Sequence, residues 1–172
     1  MRGKVRASAY ARALARLARR DHSEQELRRL LTREGYSKKE IAGTLERLRE
    51  RGFVNDLALA ARFARSRMAH QGLGRHRVRQ ALVAKGVARR EAEAGLTAAL
   101  AEVSESQLIE DVARHFWRQR LRDEPRLRLR KLWAFLLRRG FPAGLVGDRL
   151  RALWPRYQAA LEGLEPLETP ES

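Results

Sequence analysis

A chain of 172 residues has room for one ordinary domain or a short array of small units, and its 44% hydrophobic residues suffice for a core and exclude wholesale disorder. A formal net charge of +16 points to polyanionic partners, nucleic acid first, then acidic protein surfaces and anionic membranes. The absence of Cys excludes disulfides, thiolate metal sites and Cys nucleophiles, and no apolar run approaches the ~20 residues that cross a bilayer.

Charge without a following hydrophobic stretch at the N-terminus argues against a secretory signal and predicts a cytoplasmic chain. From there helical signals run in series. The spacing predicts helices over 7–20, 24–34, 38–51, 56–70, 75–85, 89–101, 105–121, 125–139 and 142–153. Ser23-x-x-Glu26 and Ser37-x-x-Glu40 have capping-box spacing, and Ser104-x-x-Gln107 offers a third. Pro125 and Pro142 suit the first turns of the last two helices. Gly35, Gly52, Gly72, Gly86 and Gly140 supply stop signals, because glycine takes the left-handed conformation that closes a helix.

Three of these glycines anchor a repeat. Eight residues before Gly35, Gly86 and Gly140 stand Leu27, Val78 and Leu132, and four before stand Leu31, Leu82 and Leu136. Six residues after stand Ile41, Ala92 and Val146, and ten after stand Leu45, Leu96 and Leu150. Directly after each glycine come Tyr36, Val87 and Phe141. Each unit reads helix, helix, glycine turn, helix, which predicts an all-α chain with repeats over 7–52, 53–102 and 103–157. The remaining residues, 158–172, hold Glu162, Glu165, Glu168 and Glu171 with no Lys or Arg. Two readings stand for this acidic tail: a frayed, flexible end, or a segment that folds over the basic body and competes with a ligand.

The distribution of charge narrows the candidate surface. Between Asp56 and Glu91 lie nine cations and no acid: Arg62, Arg65, Arg67, Arg75, Arg77, Arg79, Lys85, Arg89 and Arg90. The loop His70–Gly74 leads into a predicted helix, so it either holds an anion at the helix start or is a tight turn. A second basic stretch runs from Arg114 to Arg139 and includes Arg118, Arg122, Arg128 and Arg130. Phe116, Trp133, Phe135 and Leu136 fit core positions there, which leaves Trp117 as the aromatic candidate for stacking on an unpaired base. The candidate binding residues are therefore Arg62, Arg65, Arg67, Arg75, Arg77, Arg79, Lys85, Arg118, Arg122, Arg128 and Arg130. No stretch has a base-reading pattern, so DNA contact is expected to be weak, nonspecific and salt-sensitive.

Nothing points to catalysis. His22, His70, His76 and His115 lack metal-ligand spacing, and no nucleophile elbow, phosphate loop or dinucleotide fingerprint is present. No cofactor and no metal are expected.

Residues 53–87 resemble the central repeat of the RecX family of recombinase regulators. The resemblance rests on Asn55-Asp56, Phe63-Ala64, Ser66-Arg67, Gly72-x-Gly74 and Leu82-x-x-Lys85-Gly86 in that order, with Ser23-x-x-Glu26-Leu27 and Gly35-Tyr36 echoing it in the first repeat. Leu59 departs from it, standing where the family usually has an aromatic. The resemblance implies three tandem three-helix repeats in an elongated, curved molecule. It also implies a monomer that lies in the groove of a RecA filament, near single- or double-stranded DNA, and inhibits strand exchange, ATP turnover and co-protease activity. The alternative is a nonspecific or helix-turn-helix-like DNA-binding module acting without RecA, and a basic RNA-associated protein is a third class.

Overall fold

The protein is described from a computed structural model, over residues 7–120, 122 and 124–155. These residues form nine helices and no strand. In chain order they are α1 (Ala9–Leu17), α2 (Glu24–Arg33), α3 (Lys38–Glu50), α4 (Asp56–Gln71), α5 (Arg75–Ala84), α6 (Arg89–Glu102), α7 (Glu105–Gln119), α8 (Pro125–Arg138) and α9 (Ala143–Leu153). The acidic tail expected over 158–172 lies outside the described residues.

Most start signals act as their chemistry predicts. Ser23 and Ser37 each accept a hydrogen bond from the backbone N–H three residues on, and Glu26 and Glu40 accept from the serine N–H in return. The third box is only half built: Ser104 accepts from the Gln107 N–H, but the Gln107 side chain donates to Asp111 one turn ahead. The Asn55 side chain caps α4 through the Ala58 N–H. Pro125 opens α8 as expected, with Glu124 capping it, whereas Pro142 is the residue before α9 rather than inside its first turn. Helix α1 is shorter than its periodicity suggests, because Ser8 caps it and the chain turns at Ala18–Arg20.

The repeat is a burial pattern. All fifteen of its apolar positions, from Leu27 to Leu150, are buried, the most exposed being Tyr36 at 8%. At each closing turn the same pair of hydrogen bonds forms: Gly35, Gly86 and Gly140 donate to the carbonyl three residues back, and Tyr36, Val87 and Phe141 to the carbonyl five back. This is the Schellman arrangement, and φ of +80° to +86° at these glycines is what it demands.

The chain divides into two compact units, one of residues up to Phe63 with Ala81–Gly95, the other of Ala64–Gln80 with the residues from Leu96 onward. The division passes through α4, α5 and α6. In the first unit α1, α2 and α3 bury Ala13, Leu27, Leu31, Ile41, Leu45 and Leu48 together. In the second, α7, α8 and α9 bury Ile109, Phe116, Leu129, Leu132, Phe141 and Leu150. Leu59, the departure from the family's aromatic, is buried at 4% exposure, so a smaller side chain still serves packing there.

Candidate partner-binding surface

The first unit holds two of the candidate cations. Arg62, on α4, donates to the Asp21 carboxylate at 2.8 Å, and both groups are exposed. Such a pair contributes about 0–1 kcal/mol, so it restrains Arg62 little. Lys85 is tied down more firmly. Its ammonium donates to Glu26 at 3.1 Å, lies 5.7 Å from the Phe63 ring, and its backbone carbonyl accepts from the Ser23 hydroxyl. Glu26 serves both as the cap of α2 and as the partner of Lys85. Its carboxyl is drawn below the usual range by Lys85, the Ser23 N–H and Arg20, against the opposing effect of burial, the largest single influence.

In the second unit the loop before α5 resolves into the tight-turn reading. Three N–H donors at the start of α5 are all engaged: Gly74 with the Arg139 carbonyl at 2.9 Å, His76 with the Gly140 carbonyl at 3.0 Å, and Arg75 with the Glu105 carboxylate at 2.7 Å. The carbonyl-rich end of α8 thus caps the amide-rich end of α5, and the anion at the helix start is the protein's own Glu105. Glycine is required on both sides of this contact. A Cβ on Gly74 would lie 2.3 Å from the Gly140 oxygen, and one on Gly140 would lie 2.3 Å from the Arg77 nitrogen. The Arg75 guanidinium also donates to Glu105, at 2.6 Å, so this candidate cation is a buried carboxylate's partner.

The other candidates differ in freedom. Arg77 is exposed and makes no ion pair among the described residues. Arg65 pairs with the exposed Glu102, Arg67 donates to the Gln71 amide oxygen, and the Arg79 guanidinium lies 3.1 Å from His76 Nδ1. Arg118 is exposed and its Nε reaches the Arg114 carbonyl at 3.4 Å, while Arg122 is exposed in the turn between α7 and α8. Arg128 is a correction. It is 6% exposed, with its guanidinium 4.6 Å over the Trp117 ring, so it belongs to the core and not to a binding surface. Trp117 also stacks on Trp154 at 4.5 Å, which removes it as a base-stacking candidate. Helical spacing alone could not separate an inward Arg from its exposed neighbours.

Arg130 lies in a feature that sequence reading did not isolate. With Arg120, Lys131 and Arg138 it walls a groove of about 400 Å³ between α7 and α8, floored by Phe116, Leu127 and Phe135. Among the described residues no carboxylate lines it. A second missed feature is acidic. Asp56 and Glu91, the two ends of the acid-free stretch, line one groove of about 510 Å³ in the first unit, together with Glu24, Arg28 and Arg49. Asp56 is raised above the usual carboxylate range by burial, with the Glu24 and Glu91 charges adding to it and the Glu24 N–H bond opposing. No group of His, Asp or Glu among the described residues is arranged to hold a metal ion. Among those residues no helix is long and apolar enough to cross a membrane.

Comparison with known proteins accounts for this architecture. Residues 9–48, 55–96 and 104–148 match the first, second and third three-helix domains of RecX. A regulatory protein RecX of Pseudomonas putida is 37% identical over 139 residues, covering 80% of this chain and 86% of its own. One from Amycolatopsis mediterranei is 35% identical over 134 residues, covering 76% and 74%. The crystal structure of RecX from Lactobacillus salivarius matches the fold with a TM-score of 0.76 at 20% identity, over 84% of this chain and 94% of that one. With the three domains present in order and relatives of this similarity along most of its length, the chain belongs to the RecX family of regulatory proteins.

Proposed function

We propose that this protein is a non-catalytic, cytoplasmic regulator that binds a RecA-type recombinase filament in its helical groove, close to DNA, and inhibits strand exchange, ATP turnover and co-protease activity. The observation that carries the reading is the ordered presence of all three RecX domains, in relatives whose name is that of a regulatory protein. Physical chemistry supports it. The excess of cations attracts a filament that carries DNA, and exposed side chains such as Arg62, Arg77, Arg118, Arg122 and Arg130 can give up weak or absent internal pairs to phosphates or acidic protein groups. The protein acts as a monomer, with each repeat of 7–52, 53–102 and 103–157 offering its own surface, and its contact with DNA is weak and indifferent to sequence.

The test is recombinase ATP hydrolysis on single-stranded DNA with increasing amounts of this protein. Inhibition is expected, and the combined Arg65→Glu, Arg67→Glu and Arg77→Glu variant should inhibit several-fold less with unchanged helical content. No effect on hydrolysis at any ratio would sink the reading. Full inhibition by the variant would move the contact away from α4 and α5.

A further inference from the structure

The groove between α7 and α8 combines two properties that together select a ligand. Its walls are cationic, from Arg120, Arg130, Lys131 and Arg138. Its floor is apolar, and Leu127 at its edge is 37% exposed, one of four large hydrophobic residues that remain so among the described residues. The aromatic rings in it are already in use. Phe116 meets Phe135 at 5.0 Å and carries the Arg120 guanidinium at 4.1 Å, and Phe135 carries that of Arg139 at 4.8 Å. A nucleic-acid strand would find charge here but no free ring on which to lay a base, whereas stacking contributes much of single-strand binding. An extended segment alternating small apolar side chains with carboxylates fits both walls and floor.

The chain carries such a segment. Residues 161–169 read Leu-Glu-Gly-Leu-Glu-Pro-Leu-Glu-Thr, so Leu161, Leu164 and Leu167 are each followed directly by a glutamate. The period of three is that of the polyproline II conformation, which Pro166 favours, and in it the three leucines share one edge and the three glutamates the next. Its starting point is also suitable. Trp154, at the end of α9, stacks on Trp117, the residue next to Phe116 of the groove floor. From Pro155 to Leu164 is nine residues, which extended span up to about 30 Å.

We propose that the α7–α8 groove is the docking site of the protein's own acidic C-terminal segment, its leucines on the apolar floor and Glu162, Glu165 and Glu168 against the cationic walls. Docked there, the segment withholds Arg120, Arg130, Lys131 and Arg138 from external polyanions, and a polyanion must displace it. The proposal is independent of the recombinase reading, and its test contains no recombinase.

The absence of Cys permits a single nitroxide label on Thr169→Cys in the 172-residue chain. At ~0.1 M salt, where a Debye length of about 10 Å leaves such contacts only partly screened, amides of Leu127–Arg138 should be broadened several-fold more than those of α1. The combined Arg130→Glu and Arg138→Glu variant should lose that broadening while keeping its helical content. In parallel, neutralising the tail with Glu162→Gln, Glu165→Gln, Glu168→Gln and Glu171→Gln should raise affinity for oligothymidine several-fold. That gain should vanish when the groove is also reversed. Absence of localised broadening would overturn the proposal. So would an equal gain in affinity whether or not the groove is reversed, which would make the tail a diffuse counter-charge. Oligothymidine that shifts the groove amides but leaves the label's broadening intact would assign the groove to nucleic acid instead.

Discussion

At the scale of single residues, the buried polar groups carry the sharpest consequences. The Glu105 carboxylate, 2% exposed, satisfies both the Arg75 N–H at the start of α5 and the Arg75 guanidinium. Truncating it strands a backbone donor and a cation at once. Glu105→Ala is expected to cost about 3 kcal/mol in urea unfolding, while Arg75→Ala costs more than an exposed arginine does, because the carboxylate stays buried. His22 is equally specific. It is 8% exposed, its Nδ1 has no hydrogen-bond partner, and burial, then the nearby Arg20, hold its imidazole below the ordinary histidine value despite the opposing charge of Glu26. The folded state therefore binds this proton more weakly than the unfolded chain. Its stabilising contribution is complete above the free value of about 6.5 and declines as pH falls below it. Unfolding measured from pH 7 to pH 5 should show this decline, and His22→Phe should flatten it.

At the scale of elements, the glycines separate two costs that sequence treats alike. Gly52 and Gly140 both close helices at positive φ, +70° and +86°. A Cβ at Gly52 meets nothing within 4 Å, so Gly52→Ala carries backbone strain alone, about 1–2 kcal/mol. Gly140→Ala adds a Cβ 2.3 Å from the Arg77 nitrogen and breaks the helix-end contact between α8 and α5, so it should cost clearly more, with protection of the Gly74 and His76 amides lost in hydrogen exchange. Gly43, exposed inside α3 with open space around it, is the opposite case. Gly43→Ala should stabilise by about 0.5–1 kcal/mol.

At the scale of the whole molecule, charge decides how it meets a polyanion. Each phosphate neutralised on a single strand adds about 0.7 to the slope of log affinity against log salt. Arg77→Glu should lower that slope for oligothymidine. Arg128→Gln should leave the slope unchanged and lower the unfolding midpoint instead, because this guanidinium packs on Trp117. The contrast checks directly which arginines face outward.

The helices and the triplicated pattern were legible in the sequence because they rest on local rules. Serine caps, glycine stops and apolar spacing of three to four residues act within a turn or two, and the fifteen repeat positions are buried as their period requires. Family kinship was legible for the same reason, in an ordered set of short motifs. Which cations are available was not. Arg75, Lys85 and Arg128 look like Arg77 and Arg130 in sequence, and only partners 30, 59 and 11 residues away, Glu105, Glu26 and Trp117, distinguish them. The same holds for both grooves, whose lining is gathered from separate helices. Backbone conformation is set by neighbours along the chain, and the sequence by itself determined it. The electrostatic role of a side chain depends on burial and on charges brought close by packing, so only the tertiary structure decided it.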